Sequence, residues 1–194
     1  MKIIAATGNA GKVREIKAIL GDLGIEVISQ KEAGIDIDVE ETGTTFKENA
    51  FLKAKAVFEL SGLPAIADDS GLCVDALNGA PGVYSARYAG EDATDADKIA
   101  KLLSELENEE NRSAHFTSAV AFVISETEEY SAEGHVFGSI LNAPEGEGGF
   151  GYDPVFYSDD LQKSFGTATA EEKNTVSHRY RALMGLKDIL KEKL

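Results

Sequence analysis

The chain has 194 residues, 43% of them hydrophobic, which is enough apolar material for one well-filled core. Thirty-four acidic against nineteen basic residues give a formal net charge of −15, which disfavours nucleic-acid binding because that affinity comes largely from neutralising phosphates. The single cysteine, Cys73, excludes an internal disulfide, and no apolar run reaches membrane-spanning length. We therefore expect a cytoplasmic globular protein with one α/β domain over residues 1–194, and no nucleic-acid or membrane partner.

The first thirty residues predict a strand, a helix and a second strand. Residues 2–6 form a short apolar run, as in a strand that is buried on both faces. A helix with apolar side chains at positions i, i+3 and i+7 follows and ends at Gly21. Residues 25–28 indicate the second strand. This order predicts an α/β unit with a right-handed crossover.

Capping signals mark the later helices. A Thr at the cap with an acidic residue three positions on predicts helices that begin near Thr45, Thr94 and Thr169, the first of which runs to about Ser61. The last helical stretch has a break predicted near residue 176. The remaining strands are predicted at 112–124 and 129–141, as an antiparallel pair, and at 155–157.

The turn "TGNAGK", residues 7–12, joins the first strand to the first helix. Gly8 and Gly11 permit close backbone approach, and amides at a helix start attract anions. Lys12 is placed to reach a phosphate. The spacing differs from a Walker A motif, in which four residues separate the two glycines, whereas only two separate Gly8 from Gly11. Two interpretations stay open at this point: a phosphate-binding turn, or a tight strand–helix turn with an exposed lysine.

Acidic residues accumulate at two places where a metal site is expected. Glu40 and Glu41 precede the second helix, and Asp68 and Asp69 follow an apolar strand that we predict to end there. Ligands collect outside the carboxyl ends of strands in α/β sheets, so Asp69 is placed to bind Mg²⁺ or to accept a proton from a water. Its neighbour must point the opposite way and is expected to hydrogen-bond backbone amides. A simple Asx-turn is an equal alternative for "DDSG".

Three cationic and aromatic features complete the set. Lys53 lies on the apolar face of the second helix, where a lysine either extends to solvent or meets an anion. The glycines of "GEGGFGYDP", residues 146–154, allow Phe150 or Tyr152 to stand clear for stacking on a planar ligand, unless the segment is a flexible hairpin loop. Arg179 offers a rigid fork of donors. Together these features fit a nucleoside triphosphate.

Five ordered stretches carry a resemblance over residues 2–190. They are "TGNAGKVREI", "EETGTTFKENAFLKAKA", "AIADDSGLCVDALNGAPGVYSARYAG", "GGFGYDPVF" and "EEKNTVSHRYRAL". The chain resembles the inosine triphosphate pyrophosphatase family, whose bacterial members are XTP/dITP diphosphatases. The resemblance implies an elongated, twisted mixed β-sheet flanked by helices, with two lobes and a central active-site cleft. It also implies a homodimer that hydrolyses ITP, dITP and XTP with Mg²⁺, releasing the monophosphate and pyrophosphate.

The resemblance also implies the site residues. Asp69 is the general base, with Lys53 beside the triphosphate, and Glu40 or Glu41 binds Mg²⁺ together with Asp69. The substrate-binding set is Thr7, Gly8, Asn9, Ala10, Gly11, Lys12, Ser70, Phe150, Gly151, Tyr152, Asp153, Lys173, His178 and Arg179. A nucleotide sensor without turnover is the competing hypothesis, and the complete carboxylate set argues against it.

Overall fold

Residues 1–193 are described by a computed structural model in which strands and helices alternate along the chain. The strands are β1 (Lys2–Ala5), β2 (Glu26–Ser29), β3 (Ala65–Val74), β4 (Ser113–Val123), β5 (Glu129–Ile140), β6 (Phe156–Ser158) and β7 (Lys163–Ser164). The helices are α1 (Ala10–Leu20), α2 (Phe46–Ser61), α3 (Asp95–Glu105), α4 (Ala170–Val176) and α5 (His178–Lys193). No helix within this described part of the chain has the length and apolar character needed to cross a bilayer.

The strands form one mixed sheet in the order β2-β1-β3-β4-β5-β6-β7. The first strand is parallel to both of its neighbours, with Ile4 opposite Ile28 on one side and Ala65 on the other. At the other edge, β5, β6 and β7 are antiparallel. The predicted mixed α/β sheet flanked by helices is therefore confirmed.

One strand boundary was predicted wrongly. The third strand does not end at Asp68 and Asp69 but continues through them to Val74, ten residues in all. Its pairing with β1 stops where Ala5 lies opposite Ile66. The neighbouring strand β1 therefore ends before the level of Asp68 and Asp69, and β3 continues past it. Both acids of this strand face cationic side chains, as described below.

The capping signals were read correctly. Thr45, Thr94 and Thr169 each accept a hydrogen bond from the backbone three residues on, and each acidic partner returns one, which completes three capping boxes. The second helix ends at Gly62 in the left-handed conformation. The first ends at Leu20, as predicted, and a short 3-10 turn carries the chain to Gly24, where φ is +68°.

The chain divides into two compact units. Unit 1 comprises residues 1–69, 118–134 and the segment from Arg179 onward, and unit 2 comprises residues 70–117 and 135–178. In unit 1, alternate side chains of β1 and β3 enter two apolar clusters, one that includes α1 and α5 and one that includes α2. Unit 2 has its own cluster, around Phe116 and Phe156. The single domain and the central cleft stay predictions.

Two histidines and a phenylalanine lie together on β4 and β5 of unit 2. The His115 ring centroid is 5.9 Å from that of His135 and 5.4 Å from that of Phe137, whose side chain is exposed. Burial lowers the pKa of His115 and the neighbouring His135 lowers it further, against a smaller opposing effect of Asp75. The neutral form of His115 is therefore favoured in the folded chain.

This shift predicts a pH dependence of stability. Because the pKa of His115 is lower in the folded chain than its ordinary value of 6.5, its contribution to stability is complete above that value and is lost as the pH falls. We expect His115→Gln to reduce the slope of unfolding free energy against pH between about pH 7.5 and about pH 5.5, measured by urea unfolding. Identical slopes for the two proteins would rule out this role of His115.

Candidate functional site

The turn between β1 and α1 is fixed by its own side chains. Asn9 caps the helix, and its Oδ1 accepts hydrogen bonds from the amides of Gly11 at 2.8 Å and Lys12 at 3.2 Å. The Asn9 amide in turn donates to Thr7 Oγ1 at 3.2 Å. A Cβ built on Gly8 would meet nothing within 4 Å, so the space beside this residue is open. An anion at this turn would therefore be bound by the exposed first part of the turn rather than by the amides of Gly11 and Lys12.

Asp68 lies between two cations on the α1 and α5 side of β3. Its Oδ2 is 2.9 Å from Lys12 Nζ and 3.0 Å from Arg179 Nε, and only 2% of its side chain is exposed. Arg179 Nη1 also contacts Glu15 Oε2 at 3.3 Å. Burial alone would raise the pKa of Asp68, but Lys12 and Arg179 outweigh burial and hold that pKa well below its usual range. The expectation that Asp68 binds backbone amides was wrong, since its partners are side-chain cations.

Asp69 points to the opposite face of β3, toward α2. Lys53 Nζ lies 3.5 Å from Asp69 Oδ1 and 2.6 Å from Glu41 Oε1. Burial raises the pKa of Asp69, Lys53 opposes that effect, and the negative charge of Glu41 raises the pKa further, so the net shift is upward. The lysine on the apolar face of α2 thus meets two carboxylates, which is the condition under which the sequence favoured a functional role for it.

The electrostatics of Lys53 complement those of Asp69. Burial lowers the pKa of Lys53, but Asp69 and Glu41 together raise it above its usual value. The ammonium group is therefore charged and lies between two carboxylates. A hard divalent cation also requires carboxylate oxygens around it, and these two carboxylates could supply them.

The chemistry of the donor set therefore fits a magnesium ion. Mg²⁺ is commonly held by one or two carboxylates, with phosphate oxygens and waters completing its shell. Glu41 and Asp69 supply two carboxylates, and Glu40, whose side chain is exposed, is not among the contacts of Lys53. Over residues 1–193 no group of three acidic, histidine or cysteine side chains is arranged to hold a metal, so substrate oxygens would have to complete the coordination.

Unit 2 contains a separate cluster around Phe150. This ring is 67% exposed, and Lys173 Nζ lies 4.5 Å from its centroid while pairing with Asp153. Asp153 Oδ2 also accepts a hydrogen bond from the Phe150 amide at 3.0 Å. Of the two aromatic candidates, Phe150 stands clear. Tyr152 does not, because it is 4% exposed and donates its hydroxyl to the Ser85 carbonyl at 2.7 Å.

Two adjacent residues of the last motif lie in different units. His178 belongs to unit 2, where its ring stacks on Phe116 at 5.1 Å and 15°. Arg179 belongs to unit 1, and two of its three guanidinium nitrogens contact carboxylates. Ser70 is half-buried in unit 2, directly after Asp69. The substrate contacts expected of these three residues stay predictions.

Residues 3–189 match the sequence model of the Ham1 family. The chain belongs to the Ham1 family. A protein of Clostridium perfringens named dITP/XTP pyrophosphatase is 50% identical, over 98% of this chain and 97% of that protein. One of Haemophilus influenzae with the same name is 51% identical, over 97% and 98%. The solved Ham1 protein of Staphylococcus aureus is 43% identical over the full length of both chains, with a TM-score of 0.93.

Asn49 is a member of the candidate site that sequence reasoning missed. It is fully buried on α2, and its Nδ2 donates to Asp69 Oδ2 at 3.1 Å while its Oδ1 accepts from the Gly43 amide at 2.8 Å. The available signal was its position four residues before Lys53, which places both on one helix face. Asn49 therefore fixes the orientation of the Asp69 carboxylate and ties the acidic segment before α2 to it.

A cavity of about 920 Å³ borders the first turn of this Ham1 chain. It lies beside the carboxyl ends of β1 and β2, and its lining includes Thr7, Gly8 and Arg14. Its lining residues do not include Lys53 or the acidic residues Glu41, Asp68 and Asp69. The cavity thus adjoins the turn without including the groups that are equipped for chemistry.

Proposed function

We propose that the chain hydrolyses ITP, dITP and XTP to the corresponding monophosphate and pyrophosphate, in a magnesium-dependent reaction. The supporting observation is the group formed by Glu41, Lys53 and Asp69, in which two carboxylates meet one cation and the pKa of Asp69 is raised. The curated relatives named dITP/XTP pyrophosphatase supply the substrate class.

In this proposal water attacks the α-phosphorus. A new P–O bond forms to the water oxygen, the bond from the α-phosphorus to the bridging oxygen breaks, and pyrophosphate leaves. Asp69 takes the proton of the water, as the carboxylate that lies beside Lys53 and is fixed by Asn49. Lys53 neutralises charge on the phosphates, and the turn of residues 7–12 binds the triphosphate through its exposed first part, at Thr7 and Gly8.

Glu41 and Asp69 would hold Mg²⁺, with Glu40 as the alternative to Glu41. When bound, the ion lowers the pKa of a coordinated water and offsets the negative charge of the phosphates. Asn49 keeps the Asp69 carboxylate in place through its hydrogen bond at 3.1 Å.

The base is assigned to Phe150, Lys173, His178 and Arg179. Phe150 stacks on the purine, and Lys173 Nζ lies over the Phe150 ring. Hypoxanthine and xanthine carry a 6-keto acceptor where adenine carries a 6-amino donor, so donors from His178, Arg179 or backbone amides face a second donor when adenine is bound. Mismatched polar groups of this kind discriminate by a factor of about 10⁴.

The deciding experiment compares ITP, dITP, XTP, GTP and ATP, each with Mg²⁺, and separates pyrophosphate from orthophosphate release. We expect pyrophosphate as the first product from the three deaminated nucleotides, and loss of activity in chelator with recovery on adding Mg²⁺. Orthophosphate as the first product would place cleavage at the γ-phosphorus, and no turnover of any 6-keto purine would remove the proposed activity.

A homodimer in the cytoplasm completes the proposal. The exposed Phe137, beside His115 and His135, supports a sheet face that a second copy covers. Sedimentation equilibrium reports the state directly, and a mass of one chain at micromolar concentration contradicts the dimer.

A further inference from the structure

The backbone next to Phe150 is held by a residue outside all the motifs. The aromatic loop, residues 146–153, donates a hydrogen bond to the first residue of α3, Asp95. The Gly151 amide donates to Asp95 Oδ2 at 2.7 Å. This contact fixes the peptide that immediately follows the exposed ring, and both residues belong to unit 2.

The aromatic loop depends on such ties because its backbone is unusual. Gly149 and Gly151 have φ of +74° and +61°, a region that other residues rarely adopt. Asp153 closes the loop internally by accepting the Phe150 amide, and Tyr152 anchors it through the Ser85 carbonyl. The bond to Asp95 restrains the loop at a third point, between those two.

Asp95 is free for this contact because other residues cap its helix. Thr94 and Asp97 form the capping box of α3, with the Thr94 amide donating to Asp97 Oδ2 at 2.9 Å. Asp95 instead divides its two oxygens, with Oδ1 2.7 Å from Lys98 Nζ and Oδ2 on Gly151. The Lys98 hydrogen bond and then the Gly151 amide lower the pKa of Asp95, so the carboxylate is charged and the bond to Gly151 is charge-assisted.

We propose that Asp95 is a positioning residue that holds the Gly151 peptide and so sets Phe150 for stacking on the purine base. The inference rests on the proposed function, since it takes the aromatic loop as the base-binding element. A side chain acting through this loop affects recognition of the base and leaves recognition of the phosphates unchanged.

Calorimetric binding of IMP and of pyrophosphate separates the two halves of the substrate. We expect Asp95→Ala to raise the Kd of IMP about 3- to 10-fold, a range kept modest because half of the Asp95 side chain is exposed, and to leave the Kd of pyrophosphate within about 2-fold. For ITP hydrolysis, KM rises by a similar factor while kcat changes less. Asp95→Asn keeps an oxygen for Gly151 and is expected to restore most of the affinity for IMP.

The matched control is Asp97→Ala. This variant removes one half of the capping box of α3, the hydrogen bond from the Thr94 amide to Asp97 Oδ2, and should lower thermal stability without changing the ratio of the two Kd values. If Asp97→Ala weakens IMP binding as much as Asp95→Ala, or if Asp95→Ala weakens IMP and pyrophosphate equally, the positioning role is wrong. A wild-type chain that binds IMP but hydrolyses no 6-keto purine would instead contradict the proposed function, and the comparison of Kd values would still decide the role of Asp95.

Discussion

Asp69→Asn is expected to lower kcat for ITP by about 10²–10⁴, the usual contribution of a general base, while the affinity for nucleotide stays within a few-fold. The amide keeps the shape of the carboxylate and its contact with Asn49 but cannot take a proton from water. Because the ionised Asp69 is buried with a raised pKa, its removal should leave the unfolding free energy unchanged or higher. Single-turnover kinetics with ITP and urea unfolding measure the two quantities.

The matched control for this variant is Asp75→Asn. It makes the same chemical change at an exposed acid just beyond the end of β3. Its kcat should equal that of the wild-type chain. Full activity of Asp69→Asn would show that another group takes the proton.

Asp68→Ala is expected to have the opposite profile, with a large loss of stability. Removing this carboxylate leaves Lys12 and Arg179 without the buried charge between them, and breaking a buried ion pair typically costs about 3–5 kcal/mol. The lowered pKa of Asp68 adds a pH dependence, since its contribution is present above the ordinary aspartate pKa and is lost as the pH falls toward the folded value. Urea unfolding at neutral pH measures the loss.

A double-mutant cycle assigns that loss to the ion pair. If the contact with Arg179 accounts for the loss, adding Arg179→Met to Asp68→Ala should lower the unfolding free energy little below that of Asp68→Ala alone. Additive effects of the two changes would show that they act independently. Equal stabilities of Asp68→Ala and wild type would overturn the assignment.

The sequence predicted the elements of this fold because their signals are local. Thr45 with Glu48, and the two similar pairs, fix helix starts within four residues of chain. It failed at β3, where an acidic pair ordinarily ends a strand. The cations that face this pair are Lys12 and Arg179 at Asp68 and Lys53 at Asp69, and all three are distant from the pair in sequence.

The candidate site divides in the same way. Lys53 was found because a lysine on an apolar helix face is conspicuous. Asn49 was missed although its position four residues before Lys53 placed it on the same helix face, and Tyr152 was offered for stacking although its hydroxyl is bound at Ser85. Which side chain of a motif faces a ligand depends on packing between segments, and the motif alone does not contain that information.

The two adjacent acidic residues of β3, Asp68 and Asp69, have different roles because their side chains point to opposite faces of the strand. Consecutive side chains of a strand face opposite sides, so the carboxylate that holds unit 1 together and the carboxylate assigned to the reaction are separated by the backbone itself. Asp68 contacts residues of α1 and α5, whereas Asp69 contacts residues of α2. The two groups of ion pairs thus make their contacts on opposite faces of the strand, and only a weaker electrostatic effect, such as that of Lys12 on the pKa of Asp69, crosses it. Substitutions in α2 can retune the basicity of Asp69 during evolution without disturbing the ion pairs that keep the chain folded.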